Sequence, residues 1–139
     1  MSIQIRRTES VATVKALHTL ILPNDDWEAG SAYWVAWDGD TPVGFCSVKR
    51  ISSENCAYLL RAGVLSVAQG KSLQRRMIRV RERWARDQKM DALLTYCTYD
   101  NHSSLVNLLR CNYKLYHPAN AWAGRDVHYF MKNIDGETK

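Results

Sequence analysis

Gly70 stands alone between two segments of different period. Ahead of it Ala57–Val64 is an apolar run of strand length, and after it Lys71–Lys89 has helical spacing. A strand, a glycine turn and a helix start together make an anion site. The first N–H groups of a helix lack intrahelical partners, and the helix dipole is positive at that end. Here the N–H groups of Gln69 to Leu73 can wrap a phosphate, with Lys71, Arg75 and Arg76 adding charge. An ordinary strand-to-helix turn uses a glycine in the same way, so that reading stands beside the first. Two other groups carry chemistry. Asp25, Asp26 and Glu28 bracket Trp27, either as a patch for a cation or as a helix start beside a core tryptophan. Asn101-His102-Ser103-Ser104 is a cluster suited to capping a helix.

The elements that must position these residues follow in order. Residues 2–7 alternate as a first strand, and the stripe Val11, Val14, Leu17, His18 and Leu20 predicts a helix capped by Thr8 or Ser10. His18 is expected to pack at the edge of that stripe. A loop over 21–31 leads to a strand at Ala32–Trp37, a turn at Asp38–Pro42 and a returning strand at Val43–Ile51. Cys56–Leu65 is a fourth, apolar and therefore central strand, in which Gly63 leaves room for close backbone approach or a bulge. In the helix 71–89, Leu73, Met77, Val80 and Trp84 form the predicted core face, with the arginines in water. A fifth strand at Asp91–Thr98, a helix ending near Cys111-Asn112, and two last strands within Tyr113–Tyr116 and Asp126–Lys132 complete the domain. Trp122 and Gly124 lie in the loop between those two strands.

Composition bounds the classes of function. With 139 residues, 46% of them hydrophobic, the chain is expected to form one domain over 1–133 with a disordered tail at 134–139. Its apolar runs are too short to span a bilayer, and Met1–Arg7 lacks the apolar core of a signal peptide, which points to the cytoplasm. Cys46, Cys56, Cys97 and Cys111 are scattered without a Cys-x-x-Cys pair, so free buried thiols are expected and no metal site. The net charge of +5 is concentrated between Lys71 and Lys89, where Glu82 and Asp87 are the only acids. That stretch is a solvated helix face, an attractor for a phosphate-bearing cofactor, or a surface for nucleic acid or an acidic protein.

Two motifs carry a family resemblance. Val64-Leu65-Ser66-Val67-Ala68-Gln69-Gly70-Lys71-Ser72 resembles the acetyl-CoA-binding motif of the GNAT N-acetyltransferase superfamily, with Gln69 and Gly70 matching and Ser72 a small replacement. Gln74 stands where that family usually has Gly or Ala. About thirty residues later, Asn101-His102-Ser103-Ser104 and the helix ending Asn112-Tyr113 are similar to the family's later motif, matched at Asn101 and Ser104. Trp37–Phe45 is similar to the family's second hairpin.

The resemblance implies an α/β (α+β) fold: a mixed, largely antiparallel sheet of six or seven strands, helices on both faces, and strands four and five splayed at Gly63–Ser66. It implies acetyl-CoA as co-substrate, held by Val64, Leu65, Ser66, Gln69, Gly70, Lys71, Ser72, Leu73, Asn101 and Ser104. Val64 to Ser66 would meet the pantetheine arm and the Gly70 turn the pyrophosphate. The implied partner is an amine acceptor, a small molecule or a protein, and the 21–31 segment with its acidic patch would help to receive it.

The implied chemistry needs a carbonyl polariser, an acid for the leaving thiolate and a base for the amine. The position matching the family's helix Tyr is Leu108, which has no proton to donate, and strand four carries Arg61 instead of a carboxylate. Ser104, Tyr99, Tyr113 or Tyr116 are then the candidate acids, and Asp26, Glu28 or His102 the candidate bases. A GNAT-like module without catalysis is the alternative. An enzyme keeps the channel to the thioester open, whereas a module can fill it at Gln74 and Leu108.

Overall fold

The computed structural model describes residues 2–51, 54–70 and 72–134. Strands β1 (Ile3–Thr8), β2 (Ala32–Asp38), β3 (Thr41–Ile51) and β4 (Cys56–Val64) form an antiparallel meander, with helix α1 (Val11–Ile21) between β1 and β2. Helix α2 (Leu73–Asp87) then crosses to β5 (Ala92–Thr98), followed by α3 (His102–Arg110), β6 (Lys114–Leu115) and β7 (Val127–Asn133). The sheet order is β1-β2-β3-β4-β5-β7-β6, and only β4 and β5 are parallel. The expected mixed, largely antiparallel sheet is therefore present, with seven strands.

Alternation along the strands splits the core into two layers. On one face Val35 and Phe45 pack with Val14 and Leu17 of α1 and with Trp27 from the following loop. On the other, Trp34, Ala36, Cys46 and Val48 meet Leu73, Met77 and Ala85 of α2 and Leu108 of α3. Each fully buried large side chain, such as Phe45 or Phe130, contributes about 1.5–3 kcal/mol. All four cysteines are buried and free. His18 is buried too, edge-on to Trp27 at 5.5 Å between ring centroids. Ile134, expected to open the tail, is instead buried, and its N–H donates to the Asp91 carbonyl at 2.8 Å. The rest of that expected tail, 135–139, lies outside the described residues. Among the described residues no helix is long and apolar enough to cross a membrane.

The sheet is open in its middle. β4 and β5 pair only at Cys56–Ala92, Ala57–Leu93 and Tyr58–Leu94, and beyond these they part. On its other edge β4 carries a bulge: Cys46 faces Ala62 and Val48 faces Leu59, so Leu60 and Arg61 together oppose Ser47. The splay thus begins earlier than the expected Gly63–Ser66, and Gly63 is not the bulged residue. Gly63 serves packing instead, because a Cβ there would stand 2.5 Å from Ile21 Cγ2.

Helix α2 is turned relative to the expected face. Leu73, Met77, Ile78, Arg81, Glu82 and Ala85 are buried, while Val80 and Trp84 are only partly covered. The expectation that all its arginines stay in water fails because the bulge leaves carbonyls in need of donors. Arg81, 3% exposed, donates from Nη1 to the carbonyls of Ser47 (3.1 Å) and Leu60 (3.4 Å) and from Nε to that of Met77 (3.0 Å). Beside it the fully buried Glu82 accepts from Lys132 at 3.2 Å and from Arg79 at 3.4 Å, with Arg86 at 4.0 Å. Arg76 donates to the Ile3 carbonyl at 2.7 Å. Much of the basic stretch thus serves the fold, which removes most of the support for a nucleic-acid surface.

Candidate functional site

Where β4 and β5 part, a cleft of about 1280 Å³ runs through the sheet. One end opens at the turn before α2. There the chain leaves β4 through a 3-10 turn (Ser66–Ala68), and Gly70 takes φ +80° and Ser72 φ +58°, two left-handed residues that redirect the backbone into the helix. A Cβ on Gly70 would meet no atom within 4 Å, so the concavity on that side is open. Ser72 at the N-cap of α2 makes no side-chain cap, whereas Asn101 Oδ1 caps α3 by accepting from the Ser104 N–H at 3.1 Å. The uncapped N–H groups, the helix dipole and Arg75, whose Nη2 donates to Ser72 Oγ at 3.0 Å, leave this end electropositive.

Of the residues expected to hold the cofactor, Val64, Gln69, Gly70, Ser72, Leu73, Asn101 and Ser104 line the cleft. Leu65 and Ser66 do not: the Leu65 side chain packs with the α1 layer and its N–H donates to the Val43 carbonyl at 2.8 Å, and Ser66 opens the 3-10 turn. Lys71 lies outside the described residues. Arg76, committed to Ile3, adds nothing to this end. Gln74 and Leu108 line the cleft without filling it, so the passage along β4 is open.

The splayed edge of β4 supplies backbone groups without a strand partner. Past Tyr58, residues of β4 that direct their N–H and C=O away from β3 face the cleft where β5 would stand. The first such carbonyl, of Leu59, accepts from Thr95 Oγ1 at 3.4 Å. Those farther along can pair with an extended ligand, in the manner of an added strand.

The far end of the cleft is an aromatic and charged chamber. Trp122 packs on Tyr58 (4.6 Å between centroids) and edge-on to Tyr96 (5.5 Å), and its Nε1 donates to Tyr116 Oη at 3.2 Å. Arg61, on the bulge, pairs with Glu28 at 3.1 Å and donates to Tyr96 Oη and to the Asp26 carbonyl, each at 3.4 Å. Glu28 and Asp25 line the cleft; the Asp26 side chain does not, and its contribution is that carbonyl. Trp27, between them, stacks on Tyr33 at 5.9 Å in the α1 layer and is a core residue.

The candidate acids separate by position. Ser104 is on the cleft, whereas Tyr99, Tyr113, Tyr116 and His102 are off it. Tyr113 is buried, and burial pushes its phenol well above the usual range. Tyr99 donates to the Arg125 carbonyl at 3.1 Å. Sequence reasoning passed over Tyr58, Tyr96 and Trp122; the signal available was that Tyr58 and Tyr96 occupy the strands predicted to splay. Burial raises the Tyr58 phenol, so it remains protonated at neutral pH. Cys97 also lines the cleft, but burial raises its thiol and keeps it a poor nucleophile. Among the described residues no three His, Cys, Asp or Glu side chains gather to hold a metal ion.

This architecture has close structural counterparts. The IAA acetyltransferase from Bacillus cereus superposes with a TM-score of 0.80 at 18% identity, over 96% of this chain and 100% of that one. The ribosomal-protein-S18-alanine N-acetyltransferase from Escherichia coli gives 0.78 at 14% identity, over 99% of both chains. The PaiA N-acetyltransferase from Thermoplasma acidophilum, solved in complex with coenzyme A, gives 0.75 at 15% identity, over 96% of this chain and 100% of that one. At these identities the likeness establishes the fold. No curated protein matches the chain in sequence. The sequence model of the acetyltransferase (GNAT) family matches residues 4–113, most of the chain and both ends of the cleft's β4–α2 wall, and the protein belongs to that family.

Proposed function

We propose that the protein is an acetyl-CoA-dependent N-acetyltransferase acting on an amine. The observation that carries this reading is the continuity of the cleft, from the Gly70 turn along the unpaired edge of β4 to the chamber at Arg61 and Trp122. Acetyl-CoA, when bound, supplies a thioester whose carbonyl carbon can accept an amine nitrogen. The chain's own residues bind and orient. The Gln69–Leu73 turn and Arg75 hold phosphate, β4 backbone groups hold an extended arm and polarise a carbonyl, and the chamber receives the amine. Glu28, one of two carboxylates on the cleft with Asp25, is the candidate to attract an ammonium and pass its proton to water. Ser104, which belongs to the cleft lining, is the candidate to donate to a departing sulfur. Leu108 in place of a phenol favours slow turnover, since loss of one general acid costs a factor of about 10²–10⁴.

Calorimetric titration with acetyl-CoA tests the reading. A Cβ at position 70 would meet no protein atom within 4 Å, and the φ of +80° costs about 1–2 kcal/mol of strain, so Gly70→Val is expected to fold. Its branched side chain occupies the open concavity, and acetyl-CoA affinity is expected to fall at least about tenfold, or 1.4 kcal/mol. Unchanged affinity in the folded variant refutes the assignment of the turn. If acetyl-CoA binds and no amine is acetylated, the non-catalytic binding module is the reading that stands.

A further inference from the structure

The chamber's charges narrow the acceptor. Besides Arg75 at the α2 turn and Arg81, which is bonded to the Ser47 and Leu60 carbonyls, the cleft is lined by two acids, Asp25 and Glu28, and two bases, Arg61 and Lys49. A polyamine or other polycation would meet as many like charges as opposite ones. A molecule bearing an ammonium and a carboxylate close together meets one of each. Arg61 and Glu28 present that pair 3.1 Å apart, and the guanidinium is held by further bonds to Tyr96 Oη and the Asp26 carbonyl. It keeps partial exposure, 22% of its side chain, so a ligand can reach it. Through Tyr96 it adjoins the rings of Trp122 and Tyr58, which pack at 37° to each other as an aromatic wall.

We propose that the acceptor is a free α-amino acid with an aromatic side chain. Its carboxylate takes the Arg61 guanidinium, its ammonium takes Glu28, and its ring lies against Trp122 and Tyr58. Exchanging the internal ion pair for two intermolecular ones keeps every charge matched, and a planar guanidinium suits a carboxylate in two-point contact. This rests on the acetyltransferase reading above. In the transfer the amine nitrogen bonds to the thioester carbonyl carbon, and the carbon–sulfur bond breaks with its electron pair on sulfur. Of the two protons the ammonium loses, one ends on the CoA thiol and the other in solvent. The products are the N-acetyl amino acid, CoA and a proton.

The test uses L-phenylalanine, phenylethylamine, L-phenylalaninamide and L-alanine. Binding is followed by calorimetry without cofactor, and turnover by thiol release at saturating acetyl-CoA. L-phenylalanine is expected to exceed both carboxylate-free amines in affinity and in kcat/KM by about tenfold or more, the usual worth of a charge-assisted contact. L-alanine is expected to fall about tenfold below it, for want of the ring. Arg61→Met should erase the preference over phenylethylamine while acetyl-CoA affinity stays within about twofold. Phenylethylamine or the amide equalling phenylalanine overturns the proposal, as does absence of amino-acid binding in a protein that binds acetyl-CoA. Amino-acid binding through Arg61 without any acetyl-CoA binding overturns the acetyltransferase reading instead.

Discussion

Arg81→Met is expected to weaken the fold and the cofactor cleft together. The side chain is buried and its Nη1 serves the carbonyls of Ser47 and Leu60, which flank the bulge on β3 and β4. Leaving a buried acceptor unsatisfied costs about 1–3 kcal/mol, so two of them cost about 2–6 kcal/mol. Methionine also removes the desolvation cost of a buried guanidinium, which offsets part of this. A net loss of about 2–4 kcal/mol follows, which a domain of ordinary stability survives. Arg81→Lys, keeping the charge and reaching one carbonyl, should fall between. Urea denaturation followed by tryptophan fluorescence gives the stability. Calorimetry with acetyl-CoA, at a temperature where each variant is folded, gives the second readout. With the bulge relaxed, β4 no longer presents the same edge, and affinity is expected to fall about tenfold, or 1.4 kcal/mol. A stability change below about 0.5 kcal/mol, which is the scale of a surface substitution, refutes the carbonyl argument. A destabilised variant with full affinity refutes the link between Arg81 and the cleft.

Three more outcomes can be checked by the same denaturation measurements. Gly63→Ala drives a methyl against Ile21 Cγ2 and is expected to cost about 1–3 kcal/mol, with much of it recovered when Ile21→Ala is added; additive losses would show that the contact is not the cause. Glu82→Gln leaves the buried Lys132 without its carboxylate, and a loss of about 3–5 kcal/mol is expected, whereas a neutral change would show that Lys132 finds another partner. Burial raises the Cys46 thiol from 9.0 to about 11, so between these pH values the unfolded chain releases a proton that the folded one keeps. Stability conferred below pH 9 is therefore lost as pH rises through that window, by at most about 3 kcal/mol, and Cys46→Ala should flatten this part of the profile.

The order of elements was legible because each rests on local chemistry. The period-2 run at Ile3–Thr8, the Asp38-Gly39 turn at φ +61° and the Asn112 stop at φ +69° each work within a few residues. The buried face of α2 was not legible, because it answers to a feature of another element. The sequence of β4 has no mark at Leu60 and Arg61, and the visible glycine, Gly63, answers to Ile21 instead. Without the bulge there is no reason to bury Arg81, and a helical stretch with eight cations between Lys71 and Lys89 reads as solvated. Arg76 shows the same limit: its partner, the Ile3 carbonyl, is 73 positions away.

The site divides along the same line. The Gly70 turn and the Asn101 cap are short motifs and were found from residue types, whereas the chamber joins Glu28, Tyr58, Arg61, Tyr96 and Trp122 from four separate segments. Opening a sheet and bulging a strand both orphan backbone groups, and this protein answers them differently. Thr95 Oγ1 takes the Leu59 carbonyl, Ser47 Oγ takes that of Arg61 at 3.0 Å, and Arg81 takes those of Ser47 and Leu60. Thr95 thereby stands in for the missing strand at Leu59, Ser47 and Arg81 serve the bulge, and toward the end of β4 Gln69 Nε2 donates to the Val64 carbonyl at 3.4 Å. A buried edge without partners is costly unless water or a ligand meets it. The fold therefore closes the part of β4 that its own side chains can satisfy, and between the bulge and Val64 the edge borders the cleft, where an extended ligand can complete it.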